Sequence, residues 1–435
     1  MEDPRSIIAR EPMHFRQILA IGIATALNAL DGFDVLSISF AAPGIAKDWG
    51  IDRAALGLVL SMELFGMGIG ALSLGTLADR LGRRPTILTC LVIMGLGMGL
   101  ASIAQDVVSL SAFRLFTGLG IGGMLAATNA VVAECSNARR RNLSVAIMTG
   151  GYPIGAILGG MLASWLMGIT GRWQTVFEIG AAITLAFIPV VFWLVPETIA
   201  FLLHKRPKGA LEKINKSLKR QGRAVLDALP PREAQTSKAS LVALFKPNMA
   251  IVTVLLTLAY FGHMMTFYFL VKWIPKIVAD FGFAPSLAGS VLVWANVGGA
   301  TGAFTMSLLT QKVGVRKLVV GAMLMGAVTV AIFGQGFHTL AALSVVACIG
   351  GFFTNGATAG LYAVIAQSFP ASLRAGGTGF VIGIGRAGAA LGPVLAGLLF
   401  THGWLLPAVA IALASGTAVG ALALTRVRYR EHSVA

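Results

Sequence analysis

Long apolar stretches alternate with short polar turns along almost the whole chain of 435 residues. Each of twelve stretches has about 20 residues or more, the length that an α-helix needs to cross roughly 30 Å of hydrocarbon. Backbone groups in lipid must be hydrogen-bonded within their own segment, so each stretch is predicted to be helical. The predicted spans are residues 18–42, 54–78, 85–104, 108–133, 142–168, 173–195, 249–275, 286–310, 316–337, 339–366, 376–400 and 403–425. The predicted fold class is therefore an all-α membrane protein with twelve transmembrane helices.

One long polar segment, residues 196–247, interrupts this pattern and separates two sets of six spans. An apolar row at Leu211, Ile214, Leu218 and Val225 runs among its Lys and Arg residues, which predicts an amphipathic helix on the inner leaflet. The predicted organisation is an N-terminal segment (1–17), a six-helix bundle (18–195), this central loop, a second six-helix bundle (248–425) and a tail (426–435).

The two sets of spans also share a sequence repeat. The segment GTLADRLGRR at 75–84, after span two, aligns with SLLTQKVGVRK at 307–317, after span eight. The basic turn at 139–141, after span four, corresponds to Arg374, after span ten. Internal symmetry of two six-helix halves predicts two pseudo-symmetric bundles, with a binding site between them that opens to each side alternately.

Composition supports a lipid environment, since 56% of the residues are hydrophobic and only 12% are charged. The net charge of +16 does not indicate nucleic-acid binding, because the basic residues do not cluster on one solvated face. If both termini are cytoplasmic, most of the 34 Lys and Arg fall in inner segments, and only Lys47, Arg53, Arg172 and Lys276 fall in outer ones. The positive-inside rule then predicts a multi-pass protein of the inner membrane, with no cleavable signal at its start.

The cysteine and histidine residues do not indicate an enzyme. Cys90, Cys135 and Cys348 are odd in number, far apart and mostly within apolar stretches, so neither a disulfide framework nor a metal site is predicted. An enzyme would need a clustered nucleophile, metal ligands or a redox motif, which six scattered His and three Cys do not supply. We therefore expect no catalytic residues, no metal and no cofactor.

Several motifs resemble the major facilitator superfamily, over nearly the whole chain. GTLADRLGRRP at 75–85 is similar to its span two to three signature, RLFTGLGIGG at 114–123 to its fourth-span signature and GYPIGAILGG at 151–160 to its fifth-span motif. Within the superfamily, LNALDGFDVLSISFAAP at 27–43 resembles the first span of aromatic acid:proton symporters. FYFLVKWIPKIVADFGF at 267–283 and GRAGAALGP at 385–393 resemble that family's seventh and eleventh spans. The resemblance implies proton-coupled import of an aromatic carboxylate by alternating access.

The acids of the first spans are the predicted proton-coupling groups. Asn28, Asp31 and Asp34 lie three residues apart and hence roughly on one helix face. A carboxylate at mid-span costs several kcal/mol unless it faces the bundle interior or a wet cavity, so such residues need a function or a partner. Glu63, in span two, either joins the proton path or hydrogen-bonds within the bundle, and the alternative for the two Asp residues is packing against Arg114 or Asn28.

The intramembrane cations are candidate partners of an anionic substrate, because a guanidinium matches a carboxylate bidentately. Arg114 either contacts substrate or pairs permanently with Asp34 or Glu63, and the family carries an Arg at the position of Arg386. Lys272 lies far enough along span seven to snorkel to outer water, or else it attracts anions. His263 lies nearer mid-span, where it either moves protons or hydrogen-bonds a substrate hydroxyl, or else packs at a helix interface.

The resemblance places the walls of a substrate cavity on spans five, seven, eight and ten. Aromatic faces there could sandwich an aromatic ring, and an amide could fix a hydroxyl. The predicted substrate-binding residues, with Asn28, Arg114, His263 and Arg386, are Tyr152, Tyr260, Phe267, Trp294, Asn355 and Tyr362. Each by itself is more often a core or lipid-facing residue, and only as a set do they fit an aromatic substrate.

The charged turn after span two is the predicted gate of the inner side. The family resemblance implies that Asp79, Arg80, Arg83 and Arg84, around a tight turn at Gly82, hold this side closed. Glu134 and Arg374, at the start of span eleven, are expected to join them. The second copy of the motif departs from the family because Gln311 stands where an acid is usual. The alternative is a turn anchored only by positive-inside arginines.

Two other functions remain compatible with these patterns. The gate motif is shared across the superfamily, so the chain could carry another organic anion, a sugar or a drug with protons. A membrane sensor without flux is also possible, although the central loop is small for an output domain. The sequence names neither the particular acid nor its number of carboxylates, and it leaves proton stoichiometry and oligomeric state open.

Overall fold

The computed structural model describes residues 4–230, 241–310, 312–370 and 373–427. Gln311 lies outside these described residues, as does most of the predicted tail. The helices are α1 Pro4–Arg10, α2 Phe15–Trp49, α3 Arg53–Leu81, α4 Arg83–Ser102, α5 Val107–Cys135, α6 Arg141–Thr170, α7 Gln174–Leu194, α8 Ile199–Lys205, α9 Ala210–Arg220, a 3-10 helix Leu241–Phe245, α10 Pro247–Asp280, α11 Pro285–Leu309, α12 Val315–Phe333, α13 Leu340–Ser368, α14 Arg374–Thr401 and α15 Leu406–Arg426.

Twelve of these helices, α2 to α7 and α10 to α15, are long and apolar enough to cross a membrane. They correspond one to one with the predicted spans, so the all-α fold class with twelve transmembrane helices is confirmed. Several helices continue beyond the apolar stretch that predicted them. The end of α2 is an example, because the Trp173 indole donates to Asp48 at 2.9 Å and its ring meets Trp49 edge to face at 5.4 Å. These contacts extend α2 by a turn or more past residue 42.

By contacts, the chain divides into two compact units, which cut across the predicted six-helix sets. The first unit holds the described residues of Met1–Val35, Phe65–Gly159 and Gln174–Thr236. The second holds those of Leu36–Leu64, Gly160–Trp173 and Ser237–Ala435. The division into residues 18–195 and 248–425 stays a prediction.

Small residues allow close helix contacts within each unit, as expected where lipid leaves no hydrophobic force between helices. In the first unit, a Cβ at Gly155 of α6 would lie only 1.7 Å from the carbonyl oxygen of Ala29 on α2. In the second unit, α11 packs along α13, and α10 packs along both α14 and α15. A Cβ at Gly298 of α11 would lie 1.8 Å from the Cys348 carbonyl oxygen of α13.

The central segment contains the predicted amphipathic helix as α9, with two residues of the predicted apolar row packed against protein, and its place on the inner leaflet stays a prediction. Ile214 and Leu218 are fully buried in a cluster that includes Ile8 of α1 and Leu202 of α8. Short helices from both ends of the first unit therefore cover the apolar face of α9 with protein. Its charged face, with Lys213 and Lys219, stays exposed.

Candidate functional site

The acidic face of α2 is buried inside the first unit. Asp31 and Asp34 are fully buried and Asn28 nearly so, and the Asn28 amide donates to the Met148 carbonyl of α6 at 2.6 Å. The glycine contact of Gly155 with Ala29 holds the two backbones together at this level. All three polar residues of the first span are thus buried in the protein, as the cost of a polar or ionisable group in lipid requires.

Arg114 of α5 is fully buried beside this face. Its Nη2 donates to the main-chain oxygen of Asp34 at 2.8 Å, and its guanidinium carbon lies 5.3 Å from the centroid of the Phe177 ring of α7. Nη1 lies 3.1 Å from the Met98 sulfur of α4. Residues of three neighbouring helices therefore contact one buried guanidinium. Whether Arg114 contacts substrate or pairs with an acid stays a prediction.

The charged turn between α3 and α4 forms a compact network in the first unit. Arg83 pairs with Glu134 of α5 at 2.8 Å and with Asp79 at 3.2 Å, and it also donates to the Ala78 carbonyl. Gly82 has a φ of 116°, which favours glycine, and a Cβ there would lie 2.2 Å from a Glu197 carboxylate oxygen. The predicted association of Asp79, Arg83 and Glu134 is present in the structure.

Glu197, between α7 and α8, is the member of this network that sequence reasoning missed. Its carboxylate accepts from the backbone amides of Arg83 at 2.9 Å and Arg84 at 3.3 Å, at the N-terminus of α4. Burial raises the pKa of Glu197, against the lowering effect of the amides of Thr198, Arg83 and Arg84 and of the Arg83 charge. The signal was an acid directly after Pro196, where an apolar span ends.

The other predicted gate residues are Arg80 and Arg84 in the first unit and Arg374 in the second. Arg80 is exposed, and Arg84 lies over the Phe192 ring at 4.8 Å and donates to the Phe192 carbonyl. Arg374 begins α14 in the second unit and is exposed. The Glu134 carboxylate also accepts from the Thr198 hydroxyl, which ties α5 to the N-terminus of α8.

Two of the predicted cavity residues of the second unit contact each other. Tyr260 of α10 and Tyr362 of α13 share a hydrogen bond of 3.1 Å between their hydroxyls, and Tyr260 packs against Gly385, next to the half-buried Arg386. Phe267 and Asn355 are half-buried, whereas Trp294 is 51% exposed. Among the remaining predicted substrate contacts, Tyr152 is half-buried in the first unit. Their roles stay predictions.

His263 of α10 is fully buried and hydrogen-bonded within the second unit. Its Nδ1 lies 3.0 Å from the Thr417 hydroxyl of α15, and its Nε2 lies 3.0 Å from both the Thr354 carbonyl and the Thr358 hydroxyl of α13. The imidazole therefore joins three helices. This arrangement agrees with the helix-interface alternative stated above.

Lys272 and Glu63 form an ion pair in the second unit. The Lys272 Nζ on α10 lies 3.5 Å from Glu63 Oε2 on α3, and both side chains are 0% exposed. The expectation that Lys272 snorkels to water is therefore wrong, because the carboxylate provides a partner inside the protein. The sequence offered no signal for this pairing, since 209 positions separate the two residues.

Buried charges on helices long enough to span a membrane define a multi-pass membrane protein with a polar interior. The family model of the Major Facilitator Superfamily matches residues 24–275 and 256–435. The chain belongs to this superfamily, which confirms the resemblance seen in its motifs and makes it a transporter rather than an enzyme.

Similar proteins with known roles include two bacterial transporters. The chain is 30% identical to a gallate transporter of Pseudomonas putida, over 97% of this chain and 94% of that protein. It is also 30% identical to a 3-(3-hydroxy-phenyl)propionate transporter of Escherichia coli (strain K12), over 94% and 93% of the two chains. A solved D-xylose-proton symporter has the same fold, with a TM-score of 0.74, 16% identity and coverage of 95% of this chain and 98% of that one.

Proposed function

We propose that the protein is a proton-coupled symporter that imports an aromatic carboxylic acid by alternating access. The observation that carries the proposal is the burial of Asp31 and Asp34 on α2, where the guanidinium of Arg114 donates to the main-chain oxygen of Asp34. A carboxyl group that must be neutral in one step and charged in another is what a proton carrier requires, and the membrane interior favours its neutral form. Glu63 is the third candidate carrier.

The substrate class is supported by the relatives and by the second unit. Gallate and hydroxyphenylpropionate, named for the two relatives, both combine a hydroxylated aromatic ring with a carboxylate. In this chain, Tyr260 and Tyr362 offer aromatic faces, and Arg386 offers a cation next to Gly385, on which Tyr260 packs. We propose that the two tyrosines contact the aromatic ring of the substrate and that Arg386 binds its carboxylate.

The distribution of Lys and Arg supports an inner-membrane location with both termini in the cytoplasm. This orientation puts the network of Arg83, Glu134 and Glu197 on the cytoplasmic side. We propose that the network acts as the inner gate, because its ion pairs and main-chain bonds join the ends of α3, α4 and α5 to the segment after α7. Its bonds must break and reform in each cycle.

Uptake into proteoliposomes tests the proposal. Purified protein is expected to accumulate labelled 4-hydroxybenzoate, gallate or benzoate under an inward proton gradient, and an uncoupler should abolish the accumulation. Protein-free liposomes and labelled xylose are the controls. Uptake that continues unchanged in the presence of the uncoupler would contradict proton coupling. Accumulation of xylose but of none of the acids would show that the substrate is a sugar.

A further inference from the structure

Helices α3 and α10 are joined by two ion pairs of opposite polarity. Arg53 of α3 pairs with Asp280 of α10 at 3.0 Å, at the partly exposed ends of both helices. Ten residues further along α3 and eight residues back along α10, Glu63 meets Lys272 at 3.5 Å, now with 0% exposure on both sides. The two helices therefore run antiparallel in register, with one solvated pair at the ends and one dry pair deeper inside.

Tight packing excludes water from the deeper pair. The Trp273 indole, next in sequence to Lys272, donates to the Pro393 carbonyl of α14 at 3.2 Å. A Cβ at Gly57 of α3 would lie 2.6 Å from the same carbonyl oxygen, so α3, α10 and α14 meet at this point. An ammonium enclosed in this way needs an anion within reach, because an unpaired buried charge is strongly destabilising.

The two helices belong to opposite halves of the sequence repeat, since α3 is the second span and α10 the seventh. In the topology proposed above, the ends that carry Arg53 and Asp280 face the outer side. Alternating access requires the two halves to separate on that side when substrate enters from outside. Lys272 then loses Glu63, and its ammonium faces an opening through which an anionic substrate arrives.

We propose that Lys272 is a carboxylate-binding residue of the transport cycle, whose site Glu63 occupies while the outer side is closed. When the halves separate, the substrate carboxylate replaces the Glu63 carboxylate on the ammonium. Glu63 is left in the opened cavity, where it can be hydrated or take up the proton that the proposed function assigns to it. Lys272 lies nearer the outer helix end than Arg386 does, so it meets the substrate first and Arg386 receives it deeper inside.

This inference rests on the proposed function, because it needs an aromatic carboxylate as substrate. The experiment compares the affinity of purified full-length protein, in lipid nanodiscs, for 4-hydroxybenzoate and for its neutral analogue 4-hydroxybenzamide. The variants are Glu63→Gln and the double variant Glu63→Gln with Lys272→Gln. The double variant removes both charges of the pair, so neither partner is left as a buried charge without the other. It therefore tests the contribution of the Lys272 ammonium to substrate binding. Thermal unfolding identifies any variant that fails to fold.

The expected results follow from competition between the Glu63 carboxylate and the substrate carboxylate for the Lys272 ammonium. Glu63→Gln should bind 4-hydroxybenzoate several-fold more tightly than the wild type, because the substrate no longer displaces an anion. The double variant should bind it about 10-fold to 100-fold more weakly, the effect of losing one charge-assisted hydrogen bond. The affinity for the amide should change by less than about threefold in both variants, because a neutral ligand gains little from the ammonium.

Several outcomes would overturn the assignment. Equal affinities of the wild type and the folded double variant for 4-hydroxybenzoate would make the pair purely structural, and so would equal losses for acid and amide. Wild-type protein that binds no aromatic carboxylate at all would instead refute the proposed function, and the inference with it. The single variant also discriminates, since a merely structural pair predicts weaker or unchanged binding in Glu63→Gln.

Discussion

The guanidinium of Arg114 donates to the main-chain oxygen of Asp34 at 2.8 Å, while the Asp34 side chain is itself fully buried. The arginine therefore holds the backbone of α2 at the acidic residue. An Asp34→Asn variant retains that main-chain oxygen as an acceptor. The chemistry of the Asp34 side chain can therefore be tested while this anchor remains.

The first prediction concerns proton coupling by Asp34. Asp34→Asn imitates the protonated side chain in shape, so it should abolish accumulation under a proton gradient while exchange of labelled for unlabelled substrate survives, because exchange needs no net proton movement. Uptake and counterflow in proteoliposomes measure the two activities. Asp227→Asn, at an exposed acid of the central segment, is the control. Destabilisation by about 3–5 kcal/mol would instead identify a structural acid whose loss strands Arg114.

The second prediction ranks the two partners of Arg83. Glu134 is 20% exposed and Asp79 69% exposed, so the bond to Glu134 is the better protected from water and salt. Glu134→Gln should lower the free energy of unfolding by about 1.5–3 kcal/mol, whereas Asp79→Asn should cost less than about 1 kcal/mol.

Thermal unfolding in detergent measures the cost to stability, and counterflow measures conformational turnover. If the network is a gate, both variants should slow turnover more than they weaken substrate binding. Normal turnover combined with lost binding in Asp79→Asn would argue against the gate. A larger loss of stability in Asp79→Asn than in Glu134→Gln would contradict the ranking.

The third prediction follows from the raised pKa of Glu197, whose first cause is burial. A carboxyl with a higher pKa in the folded state binds its proton more tightly there, so its contribution to stability is greatest below the unfolded pKa. That contribution is lost as the pH rises through the folded pKa. The stability of wild type relative to Glu197→Gln should therefore fall with rising pH, measured as unfolding temperatures over a pH series.

Asp106 supplies a control of opposite sign. It caps α5 by accepting from the Ser109 amide at 2.7 Å, and that hydrogen bond lowers the pKa of Asp106. Its contribution is therefore present above the unfolded pKa and is lost as the pH falls through the folded pKa. The stability of wild type relative to Asp106→Asn should rise with pH. If the stability differences for the two acids changed in the same direction with pH, the raised pKa of Glu197 and its attribution to burial would be contradicted.

The fourth prediction concerns the contact of α2 with α6. In Gly155→Ala the new methyl group would meet the Ala29 main chain at 1.7 Å, and backbone atoms cannot turn aside as a side chain can. We expect a loss of about 3 kcal/mol or more, with a lower yield of monodisperse protein in size-exclusion chromatography. Gly150→Ala, on the same helix with nothing within 4 Å, is the control and should behave as wild type.

Much of the fold was predictable from the sequence because lipid imposes a simple rule. A span must be apolar, about 20 residues long and helical, so α2 to α7 and α10 to α15 were each predicted from one uninterrupted stretch of chain. The burial of Asp31 and Asp34 was predictable for the same reason, since an ionisable group at mid-span must face protein or water. The association of Asp79, Arg83 and Glu134 was expected from the family resemblance alone.

Pairings between distant segments were decided by the tertiary structure. Lys272 had a plausible local explanation in snorkelling, and only the packing of α3 on α10 shows that Glu63 lies 3.5 Å from its ammonium. Only the turn at Gly82 shows that two backbone amides lie against the Glu197 carboxylate. Hydropathy reports what each segment must avoid, namely exposure of polar groups to lipid. It carries no information about which buried charge meets which, because that depends on how helices hundreds of residues apart pack together.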